Sequence, residues 1–477
     1  MEHNRSVNTK REINRISGTS VARKLLIVAF WLLVWQLLAL FVDNGILLPA
    51  PVKALGRLRD LLFTGAFVKP VFGSLCRIAA GFLLGTAAGL MLAVCSSKWK
   101  LFEEVIKPAI VLCKTVPIAS FVVLLLIWWG SKNLAISVCF LIVLPNIYLG
   151  TLEGIRNTDK KLLEMAKVFG LPRGTRFFYI YRPALRPFLN SSLKLALGMC
   201  WKSGVAAEVI GTPEFSIGEQ LYFSKVHLDM ADLFAWTAVI ILLSICFEKL
   251  ILWVVKCFFE WEPACARPDI AGNVKKRSKE NNTQTAAKQA DMWIGVCHLW
   301  KTFDHEKVFE DFNAVYDPGR TYYLTDPSGS GKTTLLRMLA GLERPDQGEI
   351  LWGIKEAGAD NVVSGGCKID CSMVFQEDRL CEDYSAVKNV EMVTGDRNKA
   401  IKALEQLLEP EALEKTCSQL SGGMKRRVAL VRAMEAESHV VLLDEPFTGM
   451  DAVTRERAEK YIRQKQEGRI LIIATHI

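Results

Sequence analysis

The chain has 477 residues, a formal charge of +9, a hydrophobic share of 51% and a mean hydropathy of +0.21. Long apolar runs fill the first half to about Phe259 and an ordinary globular composition follows, which excludes a wholly soluble protein and divides the chain into a membrane domain and a soluble one. The positive residues flank apolar spans and form no basic-aromatic surface pattern, so they fit cytoplasmic loops of a membrane protein and argue against nucleic acid as a partner.

The N-terminal segment 1–24 is polar, with Arg5, Lys10, Arg11, Arg15, Arg23 and Lys24. The apolar stretch after it is long enough to span and lacks a small-residue cleavage site, so the segment is expected to stay inside the cell. Residues 25–259 form the membrane domain. Spans of about 20 residues each are expected at Leu25–Val42, Ile78–Val94, Ile106–Trp129, Leu134–Leu152, Leu193–Ile210 and Leu233–Phe258. Gly81, Gly85 and Gly89 repeat every fourth residue, a spacing that lets another helix approach closely. Lys53, Arg57, Arg59 and Lys69 make Leu48–Lys69 an amphipathic interfacial helix in expectation. The cysteines lie mostly in or beside apolar runs and read as reduced. Cys367 and Cys371 have no second pair to complete a metal site. Lys202 and Glu208 fall in the fifth span, where ionisable residues are functional candidates. Lys202 could attract an anion, or pair with another helix or snorkel.

Loop charge sets the topology. Residues 153–187 carry Arg156, Lys160, Lys161, Lys167, Arg173, Arg176, Arg182 and Arg186, whereas Gly211–Asp232 carries Lys225 alone. The first loop is therefore cytoplasmic and the second external. The cytoplasmic loop reads Glu164-Met165-Ala166, three residues, Gly170, nine residues, Ile180 and then Pro183. It resembles the EAA loop of ABC importer permeases, with Met165 and Arg182 departing from the pattern. Residues from about Leu47 to Lys256 are similar to the sulfonate/nitrate/taurine branch of that family, carried by Leu48-Pro49-Ala50-Pro51, Pro117-Ile118-Ala119 and Ala207-Glu208-Val209-Ile210-Gly211. The loop is expected to form two short helices with a turn at Gly170. The resemblance implies that Glu164, Ala166, Gly170 and Pro183 belong to an element that docks on an ATPase and transmits its motion; a merely basic, membrane-hugging loop is the alternative.

Residues 260–290 are polar, mixed in charge and without apolar periodicity, as expected of a tether. From 291 to 477 short strands, turns and helices alternate. The strand Tyr322-Tyr323-Leu324 leads into Asp326-Pro327-Ser328-Gly329-Ser330-Gly331-Lys332-Thr333-Thr334 and then a helix, the context that a phosphate-binding P-loop requires. Its glycines let backbone N–H groups converge on phosphate oxygens. Lys332 is suited to the β- and γ-phosphates of ATP and Thr333 to Mg2+. Asp326 stands where the pattern begins with glycine; its carboxylate could repel ATP or point to solvent. Val440–Leu443 is an apolar run ending in Asp444 and Glu445, a buried parallel strand in expectation. Asp444 fits the acid that helps hold Mg2+, and Glu445 the residue that polarises the attacking water.

Leu420-Ser421-Gly422-Gly423-Met424, followed by Lys425-Arg426-Arg427, resembles the ABC signature. The whole chain thus resembles an ABC transporter with its importer-type permease and ATP-binding cassette fused. The implied fold is an all-α polytopic membrane domain of about six transmembrane helices, followed by an α/β P-loop NTPase domain. The resemblance assigns the signature to ATP bound by an opposite subunit, which implies a homodimer or pairing with a second permease/ATPase half. It also implies an external solute-binding protein, contact with membrane lipid and a multi-pass place in the cell membrane with the ATPase in the cytoplasm. Gln376 resembles the Q-loop residue that contacts Mg2+, Thr448–Asp451 the D-loop and His476 the switch histidine. Phe303 is a candidate for stacking on adenine or for the core.

The favoured function is ATP-driven import of a small solute, with sulfonate, nitrate, taurine and a thiamine precursor all compatible. Two other readings stay open. An exporter half shares the domain order but extends long helices into the cytoplasm and lacks the loop. A non-catalytic or impaired membrane subunit is motivated by Asp326 and by a cassette that reads as short after His476.

Overall fold

The computed structural model describes residues 23, 26–42, 44, 47–65, 67–261, 292–303, 306–327, 329–356, 359–363 and 369–475. Cys367, Ser328, His476 and nearly all of segments 1–24 and 260–290 therefore lie outside the described residues. The chain divides into two units. One is drawn from 1–156 and 186–258, the other from 157–185 and 259–477.

The first unit is helical. Its elements include α1 (Leu26–Val42), α2 (Pro51–Phe63), α3 (Val68–Lys98), α4 (Lys100–Thr115) and α5 (Ile118–Arg156). After residues 157–181 come α8 (Arg182–Gly211), α9 (Ile217–Val226) and α10 (Met230–Glu260). By length and composition, α3, α5 and α10 are each able to cross a membrane. The helix expected near Leu48–Lys69 is α2, started by Pro51, whose fixed φ suits a first turn.

The expected single span Ile106–Trp129 is corrected: it is broken between α4 and α5. Pro117 lacks an N–H and pushes the preceding residue out of the helical region, and Val116 accordingly sits at φ −72°, ψ 131°. A second break inside α5 falls at Gly130, φ 71°. The glycine stripe of α3 lies against α5. A Cβ at Gly81 would meet the Ile136 carbonyl oxygen at 2.5 Å, and one at Gly89 would meet the Leu144 carbonyl oxygen at 2.9 Å. The two backbones pack at a distance that only glycine permits.

The second unit contains two sheets. One is antiparallel, in the order β2 (Glu306–Tyr316), β1 (Met292–Phe303), β4 (Gln347–Glu356), β5 (Ala359–Val363). The other is parallel, in the order β3 (Thr321–Leu324), β8 (Ile470–Ala474), β7 (Val440–Asp444), β6 (Cys371–Val374). Every residue of β6, β7 and β8 is buried, which is why these strands read as continuous apolar runs. Register decides where the chemistry goes. Leu324 and Asp444 both pair with Ala474, and Val374 pairs with Leu443. The segments leaving these strands, which carry the P-loop, Glu445 and Gln376, all emerge at the carboxyl end of the sheet, where α/β folds bind ligands.

Candidate nucleotide site and docking element

β3 runs into the P-loop, and α11 (Lys332–Leu339) follows it. Gly329 and Gly331 have φ of 86° and 89°, a left-handed region open to glycine at little cost. A Cβ on Gly331 would meet Val308 Cγ1 at 2.4 Å. Lys332 Nζ donates to the backbone carbonyls of Asp326 and Pro327. The Asp326 side chain itself is exposed, which favours the solvent-pointing alternative.

Asp444 ends the central strand β7. Burial raises its pKa above the ordinary carboxylate range; hydrogen bonding from Thr333 works in the opposite direction, and the neighbouring Glu445 raises it further. Its Oδ2 is buried and has no hydrogen-bond partner among the described residues. An unpartnered buried carboxylate oxygen beside a threonine hydroxyl fits a hard divalent cation, which takes oxygen ligands. Glu445 follows in a left-handed conformation, φ 49°, at a cost on the order of 1 kcal/mol for a non-glycine residue. Its N–H donates to the Ala474 carbonyl (2.9 Å), and Thr448 Oγ1 lies 3.3 Å from Glu445 Oε2.

Ser421 caps α15 (Gly422–Glu435), accepting a hydrogen bond from the Met424 N–H at 3.4 Å. Gly423 approaches Gly449 so closely that a Cβ would lie 2.6 Å from the Gly449 carbonyl oxygen. Asp451 caps α16 (Ala452–Lys465), and hydrogen bonds from Thr454 hold its carboxyl below the usual range. Leu420 is buried, whereas Ser421, Gly422 and Gln376 are exposed. Phe303 is 43% exposed under the Lys301 ammonium, 4.9 Å from the ring centroid, and does not belong to the core.

The structure adds a residue that sequence reasoning passed over. Arg426, on α15, is buried. Its guanidinium donates to the carbonyls of Phe375 (2.5 Å), Gln376 (3.2 Å), Asp444 (2.6 Å) and Glu445 (2.7 and 3.1 Å), and to Asp378 Oδ1 (3.1 Å). Its signal in the sequence is helical phase: with Ala429, Leu430 and Ala433 it lies on the buried face of α15.

The segment 157–185 forms two helices about a turn. Asp159 caps α6 (Lys160–Val168) by accepting from the Lys161 N–H. Gly170 turns the chain at φ 62°, and α7 (Arg173–Arg176) follows. Arg176 staples the turn through the Leu171 carbonyl at 2.8 Å. Met165 and Ala166 are fully buried in one cluster with Leu336, Met373 and Phe375 of the same unit. Glu164 accepts from Arg337 and Arg379, and Lys161 donates to Glu377 at 2.8 Å. Burial alone would raise the Glu164 pKa; hydrogen bonds and charge from Arg337 and Arg379 outweigh it and hold the carboxyl below the ordinary range. The departure Arg182 is accommodated by the Trp261 carbonyl (2.6 Å) and the Tyr384 hydroxyl (3.3 Å). The segment thus packs its apolar face into this cluster, and Pro183 lines an open cleft of about 610 Å³ beside it. In the other unit, Glu208 is fully buried with Ser74 and with Arg77 Nε at 2.9 Å, a paired helix-packing site. Lys202 is exposed.

Residues 309–448 match the family model described as "ABC transporter", and residues 85–256 match the model "Binding-protein-dependent transport system inner membrane component". The aliphatic sulfonates import ATP-binding protein SsuB 1 of Rhodococcus jostii is 36% identical over 188 residues, covering 38% of this chain and 71% of that protein. The sulfate/thiosulfate import ATP-binding protein CysA 2 of Rhizobium meliloti is 35% identical over 200 residues, covering 39% of this chain and 53% of that protein. The Fe(3+) ions import ATP-binding protein FbpC of Agrobacterium fabrum is 38% identical over 188 residues, covering 37% and 52%. The chain therefore spans about half the length of the first of these curated relatives. With a cassette that covers more than two thirds of one such relative and a permease match on the same polypeptide, the chain belongs to the ABC transporter family.

Proposed function

We infer that the chain is half of an ATP-driven importer, with permease and ATPase on one polypeptide. The observation that carries this reading is the docking of 157–185: Glu164 is gripped by two arginines of the ATPase, one of them Arg337 on the helix after the P-loop. A displacement of α11 is thereby passed to the chain segment that leads directly into α8 of the permease.

In this reading the amides of Gly329–Thr334 and the start of α11 hold the phosphates of ATP, and Lys332 neutralises them. Ser328 belongs to the same loop by sequence. Thr333, Asp444 and Gln376 would hold Mg2+, which supplies charge neutralisation at the phosphates. Glu445 orients the attacking water and takes its proton. Phe303 offers its exposed ring to adenine. His476 is assigned to the γ-phosphate on its sequence match alone. Ser421, Gly422 and Gly423 serve the ATP of a second copy, so two chains form the working unit. Closure of the cassettes on ATP moves the docked elements, and hydrolysis resets them.

The proposed setting is the cell membrane, with the ATPase on the cytoplasmic side and an external binding protein delivering the solute. The three relatives named above are import ATP-binding proteins for sulfonates, sulfate and iron, which supports import over export. The test is uptake of labelled taurine, sulfate and nitrate by vesicles holding the chain and its binding protein. ATP-dependent accumulation that Glu445→Gln abolishes is expected. ATP-driven extrusion of solute, or no Mg2+-dependent ATP hydrolysis, would overturn the reading.

A further inference from the structure

We propose that Arg426 is a positioning residue for hydrolysis, the pin that fixes Glu445 relative to the Q-loop and the signature helix. The inference rests on the reading of this site as an ATPase.

Three separate segments meet at one guanidinium: Phe375 and Gln376 after β6, Asp444 and Glu445 at the carboxyl end of β7, and α15 itself, which carries Arg426. Arginine presents a rigid, planar fork of donors, and here each of its three nitrogens faces a backbone carbonyl. Glu445 receives two of these bonds on its own carbonyl, at 2.7 and 3.1 Å. Those bonds hold a residue whose backbone conformation is disfavoured by itself. The charge is answered by Asp378, which sits two residues after Gln376. Burying an arginine against carbonyls is costly unless every donor is met, and the carbonyls it meets belong to the acid pair and to the Q-loop.

Among the described residues, the Arg426 side chain donates its hydrogen bonds to backbone carbonyls of the Q-loop and acid pair and to Asp378. Its loss should therefore leave nucleotide affinity in place while mis-setting the carboxylate that orients water. A misplacement of about 1 Å at such a group costs on the order of 100-fold in rate.

The experiment uses the full chain in lipid nanodiscs. Wild type, Glu445→Gln, Arg426→Lys and Arg426→Gln are compared for ATP turnover, KM for MgATP and melting temperature. Lysine keeps the charge but cannot reproduce the fork. We expect Arg426→Lys to retain a cooperative melt and a KM within about threefold of wild type, while kcat falls at least about tenfold. Arg426→Gln, a neutral donor, should show the same split. Wild-type kcat in either variant overturns the proposal. Loss of the melting transition in both also overturns it, because Arg426 would then be a folding residue. A wild-type chain without Mg2+-dependent turnover defeats the ATPase reading itself, and a wild type active beside an equally active Arg426→Lys defeats only the pin.

Discussion

Glu164 and Arg337 form a two-point salt bridge: Nη1 lies 3.1 Å from Oε2 and Nη2 lies 3.2 Å from Oε1. A fork of this kind fixes direction as well as distance. It joins the helix before Gly170 to the helix after the P-loop.

Glu164→Ala should therefore separate ATP hydrolysis from transport: uptake falls at least about tenfold while MgATP affinity changes little. Charge-assisted hydrogen bonds of this kind contribute roughly 1.5–3 kcal/mol. Uptake and ATPase rates measured side by side check this. The pH dependence has a definite sign. The folded pKa of Glu164 is depressed, so its stabilisation is present above the ordinary value of about 4.3 and is lost as pH falls through the depressed value. The melting-temperature gap between wild type and Glu164→Gln should be widest at neutral pH and close in acid.

Asp444 behaves oppositely. Its folded pKa is raised, so the stability tied to its protonated form is present below the ordinary value and lost as pH rises through the raised one. At neutral pH the buried charge is a burden on the nucleotide-free fold. Asp444→Asn should raise the melting temperature without Mg2+ and erase the further rise that MgATP produces. Thermal shift with and without MgATP reads both effects.

The phosphate loop makes a steric prediction. Gly331→Ala places a methyl group 2.4 Å from Val308 Cγ1 at a φ of 89°. ATP binding should fall by about tenfold or more, since the left-handed backbone alone costs roughly 1–2 kcal/mol for an L-residue. Fluorescent-nucleotide titration gives the number.

In the helical unit, Gly81→Leu should cost folded yield far more than Gly56→Leu. A Cβ at Gly81 meets backbone oxygen at 2.5 Å, whereas nothing lies within 4 Å of a Cβ at Gly56. Monodisperse yield by gel filtration in detergent checks the contrast.

Much of the site was legible because its chemistry is local. The P-loop needs glycines and a lysine in one stretch, and the β7 run announces burial on both faces before its acids. The turn at Gly170 and the Gly81–Gly89 stripe were readable for the same reason: each is a backbone requirement written in consecutive or periodic residues. Pro117 was visible, yet hydropathy across Ile106–Trp129 masked the break that its missing N–H imposes. Arg426 was passed over because a basic run after the signature reads as solvated surface, and its acceptors come from strands roughly 20 and 50 residues away. The grip of Arg379 on Glu164 likewise spans 215 positions, a distance that no local pattern carries.

In the proposed working unit, ATP is clamped between two copies of the chain. Glu445→Gln protein in nanodiscs, loaded with MgATP and passed through gel filtration with light scattering, tests it most directly. A two-chain particle retaining one ATP per chain, lost on Ser421→Arg, is the predicted result. A folded single chain that retains MgATP without pairing, or a pair indifferent to Ser421→Arg, would contradict it.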